Sequence, residues 1–411
     1  MKRVACIKNA RLRGRRATAD LWIDEEGRIS RIGPRSRWSR SDIVLDARGN
    51  LVVPSFVDAH LHLDLAYTLD LVPPNRSGTL GEAIALWSRY KRRVTARDVE
   101  SRARRAIDAE IGFGTGFIRT HVDVATASGM RLCEGVLAAR ERCRDRIDIQ
   151  VVAFPQDGLL RDPGALEQLR EAMRMGCDAV GGIAHNERTP EDSRRHIDLI
   201  FEVAEDFDRP IDCHIDETDD AQSRCTEYLA AQTTVRGWQG RVTASHVCAL
   251  AGYDEAYAAK VIALMAEAKL GVVTNPGVNL HLQGRYDRYP KRRGLTRVRQ
   301  LRAAGIKVAA GQDCIRDPFY PLGTGQMLEA AHLLVHADHM STPPDIEAAF
   351  DAVGPAAAQV LDVKGYGIAV GRFADLCVLP APDVHEAIRT RPRPIWVLKR
   401  GRLFVGATNN S

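Results

Sequence analysis

Two histidines spaced His-x-His, in Pro54-Ser-Phe-Val-Asp-Ala-His60-Leu-His62-Leu-Asp64, are the first residues whose types could hold a metal ion. Successive side chains of an extended chain alternate faces, so residues two apart point the same way. Two imidazoles on one face make two ligands for one ion, and imidazole is the commonest neutral ligand for zinc or ferrous iron. Alone, the pattern serves equally well for two structural histidines. Three later segments answer to it. His214-Ile-Asp-Glu217, Ser245-His246 and Gly311-Gln-Asp313 each close a short apolar run. His60, His62, His214 and Asp313 would supply three neutral imidazoles and one carboxylate, leaving a position open for water, as a hydrolytic site needs. A bound metal lowers the pKa of that water toward neutrality. Glu217, three residues past His214, would flank a substrate instead of binding metal, which makes it the candidate proton shuttle. His246 could hold the hydroxide and stabilise its charge, and Asp313, ligating through one oxygen, could accept the water's proton. His121 and His185 also end apolar runs, but no role is left for them to fill.

These residues need a scaffold that brings separate strand ends together. Leu51 to Val57 is apolar and β-branched and reads as one buried strand ending at His60. Before it, Val4–Ile7, Ala19–Ile23, Ile29–Ile32 and Ile43–Leu45 read as short strands between turns. After it, helical spacing over Leu80–Arg93 and Ala96–Ile111 opens a regular alternation. Strands are predicted at 116–123, 147–154, 179–183, 210–214, 241–246, 271–274 and 307–311, with helices between them and a long polar loop at 275–294. Eight strands alternating with helices predict an α/β fold, a (β/α)8 TIM barrel, in which function sits at the C-terminal strand ends. His60, His62, His121, Gln156, His185, His214, His246 and Asp313 all fall there. After three further helices, β pattern returns at Ala374–Leu379, Ile395–Leu398 and Leu403–Val405. The expected organisation is a small β-sandwich side domain built from both termini, 1–54 and 366–411, around a barrel at 55–365, with a frayed tail at 407–411.

The chain has 411 residues, 45% of them hydrophobic, enough for a large core. Its 58 Lys and Arg nearly balance 53 Asp and Glu, and aromatic residues rarely interleave the basic runs, so no nucleic-acid partner is expected. Nine scattered cysteines, none in Cys-x-x-Cys, point to reduced thiols, not to a disulfide framework or a zinc finger. No apolar run reaches the length of a signal-peptide core or a membrane span. A soluble, cytoplasmic protein with no membrane partner is expected.

Val53-Pro-Ser-Phe-Val-Asp-Ala-His60-Leu-His62 resembles the first-strand signature of the amidohydrolase superfamily, and Gly371-Arg-Phe-Ala-Asp-Leu-Cys-Val-Leu379 resembles that superfamily's return to its small β domain. Within it, the chain is similar to bacterial cytosine deaminases over nearly its whole length. The similarity is carried by Asn75–Leu80, Arg119–Asp123, Val152–Gln156, His214–Asp220, Thr243–His246, His281–Asp287, Tyr289–Gly294 and Asp317–Gly323. The resemblance implies one divalent metal, Fe(II) or Zn(II), on His60, His62, His214 and Asp313, a small-molecule pyrimidine substrate, release of ammonia, and a homo-oligomer. It also implies that Gln156 bonds the ring's amide edge, that Glu217 protonates the ring nitrogen beside the attacked carbon, and that His246 with Asp313 activates water. Phe154 and Phe319 would pack the ring, and the backbone of Leu80 would contact it.

One residue departs from the pattern. Cytosine deaminases of this type resemble Gly-x-Asp-Asp where this chain has Gly311-Gln-Asp313-Cys314. A thiol is less hydrated than a carboxylate and cannot take its charged hydrogen bonds. Loss of that charge predicts an apolar substituent on the substrate edge it faces, which makes 5-methylcytosine, converted to thymine, the natural candidate beside cytosine. A plain cytosine deaminase, or a deaminase of isocytosine, creatinine or a triazine, stays open at this point. A cyclic-amide hydrolase with two metals bridged by a lysine is disfavoured, because neither the third nor the fourth strand end offers a lysine.

Overall fold

The computed structural model describes residues 3–34 and 43–406; the tail 407–411 lies outside the described residues. Four short strands, β1 (Cys6–Ala10), β2 (Ala19–Ile23), β3 (Ile29–Ile32) and β4 (Val44–Asp46), form a sheet in the order β3-β2-β1-β4. A second sheet joins β5 (Leu51–Pro54) to the C-terminal strands introduced below. The barrel strands are β6 (Phe56–Leu61), β7 (Thr115–Asp123), β8 (Asp148–Phe154), β9 (Ala179–Ile183), β10 (Ile211–Ile215), β11 (Val242–His246), β12 (Gly271–Thr274) and β13 (Lys307–Ala310). The chain ends in β14 (Leu376–Leu379), β15 (Trp396–Lys399) and β16 (Arg402–Val405), and the second sheet runs β16-β15-β14-β5.

The run 51–57, expected as one strand, is two. Val53 pairs with Cys377 in the side sheet, whereas Phe56 pairs with Thr115 in the barrel. Pro54 has no N–H to extend a ladder, and the Ser55 N–H is taken by the Asp375 carbonyl at 3.0 Å. The second sheet is buried on both faces, and its residues divide with period two. Val52, Leu376 and Val378 join Ile7, Leu21 and Leu45 in the sandwich core. Leu51, Val53, Cys377 and Leu379 face the opposite way into the barrel's core. The two layers built from both chain ends form the sandwich the sequence predicts.

All neighbouring barrel strands from β6 to β13 pair parallel. The last gap is closed at the site itself. The Asp313 N–H donates to the His60 carbonyl at 2.7 Å, and the His62 N–H donates to the Asp313 carbonyl at 2.9 Å. Two further differences from expectation concern helices. The segment read as a polar loop after β12 opens with a helix, Pro276–Leu282, started by a proline at its first turn and anchored by buried Val278 and Leu282. Val384–Thr390 is a helix that the sequence reading passed over, although Asp383 caps it by accepting from the Glu386 N–H at 2.8 Å.

Candidate active site

The C-terminal strand ends bring the expected donors to one point. His62 Nε2 and His214 Nε2 lie 3.1 Å apart. Asp313 Oδ1 lies 3.7 Å from His60 Nε2 and 3.6 Å from His62 Nε2. Ligands about 2.1 Å from a tetrahedral zinc stand about 3.4 Å from one another, and these separations bracket that value. Among the described residues, His60 Nε2 and Asp313 Oδ2 are buried without a hydrogen-bond partner. Such orphaned atoms need an explanation, and a divalent cation supplies it. Three imidazoles and a carboxylate fit zinc or ferrous iron.

The surrounding groups turn the ligand nitrogens toward that point. Ser245 Oγ donates its one proton to Asp212 Oδ1 at 2.9 Å, so at 3.1 Å from His60 Nδ1 it accepts. His60 therefore carries its proton on Nδ1 and presents a bare Nε2 to the metal point. Asp212 is held in turn by Arg119 at 2.9 Å. Phe154 stacks on His214 with centroids 4.1 Å apart and 17° between planes, fixing that ring. Burial, then the crowding of several ionisable rings that cannot all take up a charge, pushes His60 and His214 well below the usual imidazole range and keeps their lone pairs available. Burial, then the neighbouring Asp317, pushes the Asp313 carboxyl up. A cation beside it works in the opposite sense and favours the ionised carboxylate.

Beside this point lies a small cleft lined by Leu65, Leu80, Ile84, Phe154, Gln156, Ile183, Glu217, Val278, Leu282, Cys314 and Phe319, with His62, His214, His246 and Asp313 at its floor. Small-ligand pockets are lined in this way, mostly apolar with a few convergent polar groups. Glu217 is 4% exposed, and burial, then Asp313, raises its carboxyl well above the usual range. A carboxyl shifted upward holds its proton to higher pH and can donate it to a substrate. Gln156 Oε1 is buried and, among the described residues, unpaired. Its backbone is fixed by Asn186, whose Nδ2 donates to the Gln156 carbonyl at 3.1 Å. Fully buried Lys91 ties the neighbouring strand ends, 2.7 Å from both Asp123 and Asp157. Cys314 is 2% exposed, with Sγ 3.6 Å from Asp313 Oδ1.

All eleven expected site residues and ligands gather around one cleft, with Leu80 half-buried at the first turn of the helix Leu80–Tyr90. His121, left without a role, stacks on His60 at 4.0 Å and places Nε2 3.3 Å from Asp212 Oδ1. It braces a ligand. His185 is half-buried in the turn after β9 and does not line the cleft; desolvation of its ring, with Asp216 working against it, lowers its pKa to about 4. The sequence reading missed Asp212 and Asn279. Asp212 was legible, because it stands two residues before His214 and so on the same face of β10. Asn279 was hidden by the reading of its helix as loop.

A parallel eight-stranded barrel with a cluster of metal-ligating side chains at its C-terminal strand ends defines a class, the hydrolytic barrel enzymes. The sequence profile of the amidohydrolase family matches residues 44–405, and the chain belongs to that family. It is a hydrolase acting on C–N bonds. The chain is 32% identical to N-isopropylammelide isopropyl amidohydrolase of Pseudomonas sp. (strain ADP) over 406 residues, covering 97% of this chain and 96% of that one. It is 32% identical to pterin deaminase of Rhizobium rhizogenes over 362 residues, covering 87% and 82%. Its fold superposes on 5-methylcytosine deaminase from Klebsiella pneumoniae, liganded with 5-fluorocytosine, with TM-score 0.93 and 39% identity, over 98% of this chain and 97% of that one.

Proposed function

We propose that the protein is a metal-dependent hydrolytic deaminase of free amino-heterocycles, and that 5-methylcytosine, giving thymine, is its preferred substrate, with cytosine, giving uracil, also accepted. The observation that carries this reading is the cleft: an unpaired buried amide, a buried acid whose pKa is raised by burial, and a thiol where a second carboxylate would stand. His60, His62, His214 and Asp313 would hold a divalent ion, which would supply a nucleophile at neutral pH by lowering the pKa of water. Gln156 accepts from the ring N1–H and donates to the C2 carbonyl. Glu217 delivers a proton to N3, beside the carbon that water attacks. Asp313, beside His246, takes one proton of the attacking water and gives it to the departing amine, and the proton left on the attacked carbon's hydroxyl returns to Glu217, so that base and water become the keto base and ammonia. Cys314 with Phe319 gives the ring's C5 edge an uncharged wall. A methyl group buried there is worth about 0.8 kcal/mol, about fourfold in kcat/KM.

The similarity to 5-methylcytosine deaminase supports this choice. The 32% identity to N-isopropylammelide isopropyl amidohydrolase favours a second reading, an amino-triazine substrate on the same machinery. Ammonia release by the metal-analysed protein separates them when measured on 5-methylcytosine, cytosine, isocytosine and creatinine, with isopropylamine release measured on N-isopropylammelide. Turnover of 5-methylcytosine at or above the rate on cytosine supports the first reading. A strong preference for unsubstituted cytosine removes the role given to Cys314, and turnover of the triazine alone replaces the substrate.

A further inference from the structure

His246 ends β11 with φ +72°, and Val247 follows at φ +51°. Non-glycine residues rarely occupy this left-handed region, so the surroundings dictate where the ring points. One of those surroundings is Asn279, fully buried on the helix Pro276–Leu282. Its Oδ1 accepts from the Asn275 backbone N–H at 3.2 Å. A backbone N–H only donates, so the two ends of this amide are not interchangeable. The Nδ2 end faces His246 Nδ1 at 3.0 Å. An amide N–H₂ also only donates, so Nδ1 is bare. A proton there would set N–H against N–H, which excludes both the Nδ1–H tautomer and the cation. The remaining proton sits on Nε2, 3.7 Å from Asp313 Oδ2, which has no hydrogen-bond partner among the described residues. Asn275 Nδ2 lies 3.4 and 3.3 Å from the two ring nitrogens, nearly equidistant, and lines up with neither lone pair.

We propose that Asn279 fixes the tautomer of His246, keeping its proton on Nε2 toward Asp313, and is thereby a positioning residue for the hydrolysis. It touches no reacting atom. Glu217 Oε1 is 3.4 Å from His246 Nδ1, and because that nitrogen is bare the ring gives Glu217 no proton. His246 thus serves the water side of the site alone and Glu217 the substrate side, an assignment of roles that rests on the deaminase reading above.

The test is the protonation pattern of His246 in zinc-loaded protein carrying ¹⁵N-histidine, its signals identified by their loss in His246→Gln. The wild type should show a protonated Nε2 and a bare Nδ1. Asn279→Asp keeps an acceptor for the Asn275 N–H and turns the other end into an acceptor, so the proton should move to Nδ1. A wrong tautomer at a catalytic histidine costs up to about 10⁴-fold in kcat; Asn279→Asp should lose at least about 10²-fold in kcat with little change in KM. Asn279→Ser, whose shorter hydroxyl can either donate or accept and adds no charge, should give mixed tautomers and an intermediate kcat. A protonated Nδ1 in the wild type overturns the proposal without any variant. So does a switched tautomer that leaves kcat intact, or a serine variant unchanged in both readouts. Absence of turnover on every heterocycle would remove the deaminase reading, while the spectra would still decide the tautomer.

Discussion

Removing the Ser245 hydroxyl tests whether the network behind His60 sets the metal affinity. In Ser245→Ala, His60 loses the acceptor of its Nδ1–H, which lies 3.1 Å from Ser245 Oγ on a ring with no exposure. An unsatisfied buried donor costs about 1–3 kcal/mol, and this loss falls on metal-free and metal-loaded protein alike. The affinity term is separate. Without Ser245 the metal-free ring is free to carry its proton on Nε2 and face Asp313 Oδ1, 3.7 Å away. Binding must then reverse that tautomer. Outer partners of ligating histidines are worth about 10–100-fold in affinity, which is about 1.4–2.7 kcal/mol. Asp212 also loses the Ser245 donor but keeps Arg119 at 2.9 Å, so it stays anchored beside the site. Two measurements separate the terms: denaturant unfolding of both metal-free proteins, and zinc competition against a chelator of known affinity. A zinc affinity within about twofold of wild type would refute the idea that Ser245 orients the ligand, whatever the unfolding data show.

Removal of the metal with a chelator should abolish ammonia release, and added zinc or ferrous iron should restore it; the ion restoring the higher rate identifies the better-suited metal. Glu217→Gln keeps the shape of the shuttle but not its transferable proton, and should lower kcat by about 10²–10⁴-fold in a steady-state assay. Gln156→Leu leaves the ring's amide edge unpaired and should cost about 1–3 kcal/mol in kcat/KM, with stability little changed because Gln156 Oε1 has no partner to lose among the described residues. Cys314→Asp sets a carboxylate beside Asp313 and should shift the ratio of kcat/KM toward cytosine over 5-methylcytosine. An unchanged ratio would show that this position does not face the C5 edge.

Periodicity is strong evidence for elements and weak evidence for junctions. The eight barrel strands and the candidate ligands were legible because each candidate ends an apolar run, and parallel strands buried on both faces leave little ambiguity in such runs. The same continuity hid the break at Ser55, because the apolar run 51–57 crosses it although Leu51–Pro54 and Phe56–Leu61 belong to different sheets. What separates them is a missing donor at Pro54 and a carbonyl offered by Asp375, more than 300 residues later. The outer groups of the site escaped for a related reason. Ser245 and Asp212 act through bonds between neighbouring strands, and Asn279 acts through one amide whose orientation is fixed by the Asn275 N–H four residues earlier. Spacing along the chain finds ligands, since ligands must share a face. It does not find the residues that decide which nitrogen of each ring carries the proton, because that choice depends on which atom of a distant side chain can only donate or only accept. In this protein that choice separates a cluster of histidines from a site in which His60 offers a bare nitrogen and His246 a proton.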